Sequence, residues 1–408
     1  MKVLTLNSGS SSLKFKLFDA DGLALLASGL AERLNSPHNR LVQRWRDPQG
    51  RWQEHVREGD TETHADALEY AFADLATAGL LPDRRALAVI GHRVVHGGEY
   101  FTAPTLVDGA SLAQIRAVEH LAPLHNPANV LGIDVARRLF PRVPQVAVFD
   151  TAFHHTLPAH VRHYALPLPL YEDFHVRRYG FHGISLQHVT RRAARLMGRP
   201  LEGLHLIVMH LGNGASITAV ANGCSVETSM GMTPLEGLMM GTRSGDLDPA
   251  VHFHLLRHTR RTPEQVEDLL YHGSGLKGVC GHSDMREVHA RAAVGDEAAA
   301  LALDMFCHRL KKYVGAYAAV LGRVDGVVFT AGIGEHDAEV RARSLAGLEL
   351  FGIVLDEARN RARCDDAVAI HAPSSASQIW VIPTDEEHEI ARCALERIGA
   401  TATQGVTP

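Results

Sequence analysis

A short strand-turn-strand pattern that occurs twice is the feature that most constrains the fold. An apolar run at 2–6 is followed by a turn rich in Ser and Gly and by a second run at 13–17, in which apolar and basic residues alternate. The same order recurs at 204–211 and 217–220, around a second Gly-rich turn. The two occurrences lie too far apart for a solenoid, whose repeats are much shorter. We interpret them as two copies of one domain type, each beginning with a β-hairpin.

Strands and helices are predicted to alternate through the rest of the chain. Apolar runs predict strands at 87–90, 145–149, 324–329 and 379–382. Capping residues and apolar spacing predict helices at 126–140, 263–272 and 296–321. We expect Asn126 to cap the first of these helices, and Leu301, Met305 and Tyr313 to lie on the apolar face of the third. This mixture predicts an α/β protein, with the weakest pattern in the polar stretch 35–63 and in the tail after Gly399.

Composition excludes several classes of protein. The 408 residues are enough for two or three domains. A net charge of −5, from 41 Lys and Arg against 46 Asp and Glu, argues against nonspecific nucleic-acid binding and against a basic membrane surface. No apolar run is long enough to span a bilayer, and the N-terminal run turns polar at Asn7, too early for a signal peptide. The five cysteines are scattered without zinc-type spacing, so we expect a reduced, cytoplasmic protein.

Three loops have a composition that suits an anion. They lie at 7–12, at 210–214 and at 330–335, and all three are rich in Gly. The first two also contain Ser or Asn, and Lys14 follows the first closely. Such turns present several backbone N–H groups in one concavity. The chain contains neither a Walker sequence nor the Gly spacing of a dinucleotide-binding fold. We therefore expect a nucleotide held between two domains, by loops of another kind.

Four charged residues lie in apolar or Gly-rich segments, where a solvated surface is a poor explanation. They are Arg93, Asp150, His182 and Arg243. A structural Arg–Asp ion pair is the alternative explanation for such residues. Together they suit phosphoryl transfer, because Arg and imidazolium groups neutralise the charge that spreads over the phosphoryl oxygens.

At this point the motifs resemble those of the acetokinase family, within the larger group that shares the actin and sugar-kinase fold. The resemblance runs in family order through NSGSSSLKFKLFD (7–19), GHRVVHGG (91–98), HLAPLHNP (120–127), FDTAFH (149–154), RYGFHG (178–183), HLGNGASI (210–217), TSMGMTPLEGLMMGTRSGDLDP (228–249), FTAGIGE (329–335) and TDEE (384–387). It implies an α/β fold of two duplicated actin/ribonuclease H-like domains with an interdomain nucleotide cleft. The implied domains are 1–150 with 386–408, and 151–385.

The resemblance also implies an activity. It is the reversible, Mg²⁺-dependent transfer of a phosphoryl group from ATP to acetate, in line, giving ADP and acetyl phosphate, with Mn²⁺ as a substitute ion. A homodimer is implied as well, with no nucleic-acid or membrane partner. The alternatives are a propionate kinase of the same family, an ATP-driven conformational switch, and a nucleotide-sensing module. Butyrate as the substrate fits less well.

The family resemblance also implies roles for individual residues of this chain, according to their positions in the shared motifs. The resemblance implies that Arg93, Asp150, His182 and Arg243 are catalytic, that Arg93 also binds substrate, and that Asn7 and Glu386 hold the metal. It places the methyl group of the substrate against Val95, Leu124, Phe181 and Pro234. It assigns ATP binding to Asn7, Lys14, His210, Leu211, Gly212, Asn213, Gly214, Asp284, Met285, Arg286, Gly332, Ile333, Gly334, Glu335 and His336.

The role of Asp150 needs a separate argument. The family assigns an acid/base role to this position, but a carboxylate acceptor has no proton to lose near neutral pH. We therefore expect Asp150 to orient Arg243 or Arg93 and to tune the charge around Mg²⁺. The chain departs from the family pattern at Ile184 to Leu186 and at 277–282, beside the implied hinge and adenosine loop.

Overall fold

The computed structural model describes residues 1–47, 49–362 and 366–404, without the side chains of 401–404; Cys364 lies outside these ranges. The chain forms two compact units. Unit 1 comprises Met1–Phe153 and Asp385–Pro408, and unit 2 comprises His154–Thr384. None of the helices in the described part of the chain is both long and apolar enough to cross a membrane.

The strands are β1 (Lys2–Ser8), β2 (Ser12–Asp19), β3 (Leu25–Glu32), β4 (Arg40–Arg46), β5 (Trp52–Glu58), β6 (Leu87–Val94), β7 (Thr105–Leu106), β8 (Gln145–Phe149), β9 (His205–Leu211), β10 (Ala215–Ala221), β11 (Cys224–Thr228), β12 (Gly326–Thr330), β13 (Val368–Ala369) and β14 (Gln378–Val381). The α-helices are α1 (His64–Thr77), α2 (Gly109–Ala117), α3 (Asn126–Leu139), α4 (Ala159–Arg162), α5 (Leu168–Phe174), α6 (Gly183–Leu196), α7 (Ala250–His258), α8 (Pro263–His272), α9 (Gly275–Cys280), α10 (Met285–Ala293), α11 (Glu297–Leu321), α12 (Ala331–His336), α13 (Ala338–Leu345), α14 (Glu357–Arg361) and α15 (Glu386–Gln404).

Each unit is built around a mixed sheet with the same central strand order. The order is β5-β4-β3-β2-β1-β6-β8-β7 in unit 1 and β11-β10-β9-β12-β14-β13 in unit 2. The first strand of each unit pairs antiparallel with the second, and it pairs parallel with the next strand of the sheet, β6 or β12. In both units the following pair, β6 with β8 or β12 with β14, is also parallel. The predicted α/β class and the repeated hairpin are therefore confirmed.

Helices pack against the sheet of unit 1, and this packing positions the first turn of α15. Leu68 and Phe72 of α1 and Ala136 of α3 belong to one buried cluster with Phe15 of β2. Helix α15 packs against β1, β6 and β8. A side chain at Gly91 of β6 would meet Ile390 of α15 at 2.6 Å. Because Gly91 has none, α15 lies close enough to bring its first turn beside the end of β6.

Several local predictions are confirmed. The predicted strands at 87–90, 145–149, 324–329 and 379–382 correspond to β6, β8, β12 and β14. Thr262 caps α8 through a reciprocal capping box with Gln265, and Pro263 occupies the first turn. Local capping chemistry of this kind involves only neighbours in sequence, so it can be recognised without the fold.

Two other predictions, the cap of α3 and the apolar face of α11, are wrong, and the polar stretch with the weakest pattern forms two strands. His125, and not Asn126, is the N-cap of α3. Leu301 and Met305 are 54% and 42% exposed, since α11 instead buries a face that includes Phe306. The polar stretch 35–63 contains β4 and β5, whose polar residues are tolerated because this hairpin lies at the edge of the sheet.

Candidate active site

In unit 1, the first hairpin places two predicted site residues opposite each other. Asn7 of β1 and Lys14 of β2 are partners in the antiparallel register. The Nζ of Lys14 lies 2.7 Å from Oε1 of Glu387, which is buried at the start of α15. The Nζ of Lys16 lies 2.8 Å from Oδ1 of Asp385. These ion pairs hold the start of α15 against β2.

A third ion pair in unit 1 joins the ends of two parallel strands. Arg93 is the penultimate residue of β6, which extends beyond the predicted strand at 87–90, and Asp150 follows β8 directly. Arg93 Nη2 donates to Asp150 Oδ2 at 2.6 Å, and Arg93 Nε lies 3.4 Å from Oδ1. Burial and the charge of Glu386 together raise the pKa of Asp150 to about 6, against an opposing effect of Arg93. Burial alone would lower the pKa of Arg93, but Asp150 and Glu386 raise it above its ordinary value.

The two predicted metal ligands lie around the same guanidinium group. Arg93 Nη1 donates to Asn7 Oδ1 at 3.4 Å, and Arg93 Nε lies 3.9 Å from Glu386 Oε2. We call Asn7, Arg93, Asp150 and Glu386 the unit 1 cluster. It gathers carboxylate and amide oxygens around one cation at the carboxyl ends of parallel strands.

The backbone after β6 is held by asparagines that the sequence analysis did not assign to the site. Asn129 Oδ1 accepts from the Val95 N–H at 3.0 Å, and Asn129 Nδ2 donates to the Ser8 carbonyl at 2.7 Å. Asn126 exchanges two hydrogen bonds with the His96 backbone, at 3.0 and 2.9 Å. Since Asn126 and Asn129 are buried polar residues one turn apart on α3, their spacing was the available signal.

In unit 2, His182 precedes α6 and has a left-handed backbone, with φ of 59°. Its Nδ1 lies 2.9 Å from Ser216 Oγ, and its ring stacks on that of His210 with centroids 4.1 Å apart. His210 Nδ1 in turn lies 2.8 Å from Ser185 Oγ, which lies 2.8 Å from Thr384 Oγ1. A non-glycine residue in this region costs about 1–2 kcal/mol and persists only where its surroundings hold it.

Arg243 lies beside His182, over Gly214. A Cβ on Gly214 would lie 3.4 Å from Arg243 Nη1 and 3.6 Å from His182 Nε2. Arg243 Nη1 donates to the Pro234 carbonyl at 3.3 Å, and burial lowers the pKa of the guanidinium below its ordinary value. No carboxylate among the described residues forms an ion pair with Arg243. A half-buried Arg without a carboxylate partner, beside an imidazole and a Gly-rich loop, is suited to receiving an anion.

Unit 2 also contains a pocket of about 910 Å³, large enough for a nucleotide. Its lining includes eight of the predicted ATP-binding residues, namely Gly212, Asn213, Asp284, Met285, Arg286, Gly332, Ile333 and His336. The loop at 212–214 therefore lines the pocket at one end and lies beside Arg243 and His182 at the other.

The other predicted nucleotide residues of unit 2 lie outside the lining. Leu211 is fully buried, and a Cβ on Gly334 would pack at 3.7 Å against it. Glu335 Oε1 accepts from the backbone N–H groups of Ala331 at 2.8 Å and Thr384 at 3.2 Å. These contacts indicate that Glu335 holds the loop. Asn7 and Lys14 belong to unit 1.

The predicted methyl-binding residues differ in exposure. Val95 and Phe181 are buried, at 7% and 2%, whereas Leu124 is 62% exposed. Val95 and Leu124 belong to unit 1, and Phe181 and Pro234 belong to unit 2.

The sequence analysis missed part of the pocket wall. Ser283, His289, Ala293, Asp337, Ala338 and Glu339 also line it. His289 Nε2 lies 2.7 Å from Asp337 Oδ2. His289 follows Arg286 by three residues on α10, so helical spacing was a signal that could have found it.

The side chains of unit 1 that could hold a metal are oxygen donors. No cluster of three or more His, Cys, Asp or Glu side chains suited to a metal occurs within the described ranges. Asn7 and Glu386 nevertheless fit Mg²⁺, which takes one or two protein oxygens and completes its shell with water and phosphate. They do not fit zinc, which prefers a full set of nitrogen and sulfur ligands.

Comparisons with known proteins agree along the whole chain. The profile of the Acetokinase family matches residues 2–392. Proteins named acetate kinase from Syntrophobacter fumaroxidans and Streptomyces avermitilis are 48% and 50% identical, over 99% and 98% of both chains. The crystal structure of Porphyromonas gingivalis acetate kinase has a TM-score of 0.91 at 41% identity, and covers 97% of this chain and 99% of its own. A propionate kinase from Francisella tularensis has a TM-score of 0.89 at 39% identity, with the same coverage. The chain therefore belongs to the acetokinase family.

Proposed function

We propose that the protein transfers the terminal phosphoryl group of ATP reversibly to acetate, in line, giving ADP and acetyl phosphate. The observation that carries the proposal is the position of Arg243, which is half-buried, has no carboxylate partner among the described residues and is adjacent to His182 over Gly214. A nucleotide in the unit 2 pocket would extend its phosphates along the loop at 212–214 towards these two side chains. That places cationic groups where charge develops during transfer.

Arg243 and His182 stabilise the transferring group. The planar guanidinium of Arg243 donates to two phosphoryl oxygens at once, which a point charge cannot do. His182 is oriented by Ser216 and by the stacked ring of His210, so its Nε2, which faces Gly214, is held towards the same oxygens. Such preorganised donors need no rearrangement when the charge develops.

Arg93 and Asp150 prepare the acceptor. Acetate is already ionised near neutral pH, because carboxylic acids have pKa values of about 4. The reaction therefore needs no general base, and Asp150 instead fixes the guanidinium of Arg93 through their 2.6 Å ion pair. Arg93 orients the acetate carboxylate for attack.

Asn7 and Glu386 are proposed to hold Mg²⁺, for which Mn²⁺ would substitute. When bound, the ion neutralises charge on the nucleotide phosphates. Lys14 is proposed to lie at the same phosphates. The homodimer remains a prediction of the family resemblance, as do the domain boundaries 1–150 with 386–408 and 151–385.

Propionate is the second candidate acceptor, favoured by the structural similarity to the Francisella propionate kinase. The choice depends on one methylene group against Val95, Leu124, Phe181 and Pro234. An apolar pocket discriminates by only about 1–3 kcal/mol per methylene.

The test is acyl phosphate formation from Mg-ATP, trapped as the hydroxamate, with acetate, propionate and butyrate at matched concentrations. The strongest product with acetate would support the proposal. A preference for propionate would keep the mechanism and change the substrate. ATP hydrolysis without acyl phosphate from any acid would overturn the kinase proposal and favour a conformational switch.

A further inference from the structure

A close contact between a His and an Asp side chain connects two elements that line the unit 2 pocket. His289 lies on α10, the helix that also contributes Met285 and Arg286 to the lining. Its Nε2 lies 2.7 Å from Oδ2 of Asp337, the residue between α12 and α13. Both members of the pair line the pocket themselves. The pair therefore joins two parts of the wall that are distant in sequence.

Asp337, the hydrogen-bond partner of His289, is held in place by α13. Asp337 is the N-cap of α13, and its Oδ1 accepts from the Val340 N–H at 2.9 Å. Its second oxygen, Oδ2, is the one that faces His289. The side chains of His289 and Asp337 are 25% and 14% exposed, so solvent screens the pair only in part.

A second carboxylate, that of Glu339, also lies near the His289 ring, so the protonation state of the ring matters. Glu339 Oε2 lies 3.5 Å from His289 Nδ1. A neutral imidazole has one N–H and can donate to only one of these carboxylates, whereas the protonated ring can donate to both. The arrangement therefore suits a cationic His289.

We propose that His289 is a positioning residue for the nucleotide: its protonated ring joins α10 to the start of α13 and neutralises Asp337 and Glu339 beside an anionic ligand. This rests on the proposed function only in requiring that the pocket binds a nucleotide. Loss of the proton would loosen the connection and remove one positive charge from beside Asp337 and Glu339, although Glu339 keeps its ion pair with Arg343. Both effects weaken nucleotide binding.

The surrounding charges determine the direction of the pH dependence. The hydrogen bond to Asp337 raises the pKa of His289, burial lowers it, the charges of Asp337 and Glu339 raise it, and Arg343 lowers it, with a net rise. Other titratable groups of the neighbouring elements include Arg286, Glu287 and Arg291 on α10, Asp304 and Cys307 on α11, Glu335 and His336 on α12, and Arg341 and Arg343 on α13, and Arg341 interacts electrostatically with Asp337. Arg343 is paired with Asp304 and Glu339, and burial raises the pKa of Cys307 to about 12. We therefore expect the connection to be complete at low pH and lost as the pH rises through the pKa of His289.

The experiment is calorimetric titration of the whole protein with ADP, without an acceptor acid, between pH 6 and pH 8.5. The phosphate of ADP itself titrates near pH 6, so variants are compared at equal pH. The ratio of the wild-type affinity for ADP to that of His289→Gln should fall about two- to fivefold as the pH rises from 6 to 8.5. This is the range expected for a partly exposed ion pair. His289→Gln should bind at the weaker level throughout, and His289→Lys at the tighter level throughout.

Two further variants make the test specific. Asp337→Asn keeps an N-cap oxygen but lacks the carboxylate that raises the pKa of His289, so its ADP affinity should vary less with pH than that of the wild type. His282 is a matched control, because it forms a similar pair with Glu287 at 2.8 Å and does not line the pocket. His282→Gln should behave as the wild type does.

Equal pH profiles in the wild type and His289→Gln would overturn the proposal, as would failure of His289→Lys to bind tightly at pH 8.5. The hydroxamate assay separates this outcome from failure of the kinase proposal. The expected ADP profile without any acyl phosphate would keep the role of His289 and remove acetate as the acceptor. Acyl phosphate formation, together with equal ADP profiles in the wild type and His289→Gln, would support the kinase proposal and remove the role of His289.

Discussion

Arg93 and Asp150 meet through a 2.6 Å contact between Nη2 and Oδ2, although they are far apart in sequence. Their strands, β6 and β8, are parallel neighbours, with Arg93 in register with Val148. The sheet therefore brings the end of one strand beside the end of the other, and the guanidinium also contacts Asn7 and Glu386.

We expect Asp150→Asn to lower kcat/KM for acetate about 100-fold, because the guanidinium of Arg93 would lose its fixed orientation. The free energy of unfolding should fall by about 3 kcal/mol, the lower end for breaking a buried ion pair, since Asn7 and Glu386 remain near Arg93. Asp134→Asn is the control, because Asp134 forms an exposed pair with Arg116 in the same unit. Steady-state kinetics and urea unfolding check both values; an unchanged kcat/KM would remove Asp150 from the positioning of Arg93.

Arg243→Ala should lower kcat by about 1,000-fold or more, the scale of an Arg at a phosphoryl transition state. Arg243→Lys should fail as well, because an ammonium group cannot replace the planar fork. Arg199→Ala serves as the control, since Arg199 pairs with Asp325 on the surface. Hydroxamate assays at saturating ATP and acetate measure the effect, and near-full turnover by either Arg243 variant would exclude this role.

Gly214→Ala should reduce kcat more than it reduces ADP affinity. The added methyl group would lie 3.4 Å from Arg243 Nη1 and 3.6 Å from His182 Nε2, in the space where a phosphoryl oxygen is expected. Gly315→Ala is a matched control in the interior of α11, where a Cβ meets nothing within 4 Å. That control should leave kcat unchanged and stabilise the protein by about 1 kcal/mol. Equal losses of kcat and of ADP affinity in Gly214→Ala would argue against the position assigned to the transferring group.

His92 predicts an acid-sensitive stability. Burial lowers its pKa from 6.5 to about 4, with a smaller opposing effect of the 2.8 Å contact with Gln145. The unfolded chain therefore binds a proton that the folded chain excludes, so stability is present above pH 6.5 and is lost as the pH falls towards 4. The free energy of unfolding should therefore be about 3 kcal/mol lower at pH 4 than at neutral pH, because of this one group. Urea unfolding between pH 7 and pH 4 should show a smaller decrease for His92→Gln than for the wild type; parallel curves would contradict the assignment.

Sequence patterns predicted the elements whose signals are local. The hairpins β1–β2 and β9–β10 follow from alternation around Gly-rich turns, and α8 follows from its capping box. The patterns failed where polarity and burial are decided by distant partners. Asn126 has the composition of a cap, yet its side chain binds the backbone of His96, and Leu301 has apolar chemistry on a surface that α11 leaves exposed.

Part of the candidate site could likewise be predicted from local motifs, and part depends on contacts between distant segments. The Gly-rich loops and the four charged residues could be identified from the sequence, because each lies in a recognisable local motif. The choice between Arg93 and Arg243 as the partner of Asp150 could not, because it depends on which strands are neighbours in the sheet. The pairing of His289 with Asp337 depends on how α10 meets the start of α13.

By itself, the sequence determined that this chain forms two similar α/β units, and that its loops and charged residues suit a nucleotide and a phosphoryl group. These properties reside in short segments, whose turn chemistry and apolar spacing act between near neighbours. Only the tertiary structure decided that Gly91 admits α15 beside β6, and that Arg243 and His182 meet over Gly214. Such contacts join residues far apart along the chain, and their approach is set by the packing of sheets and helices.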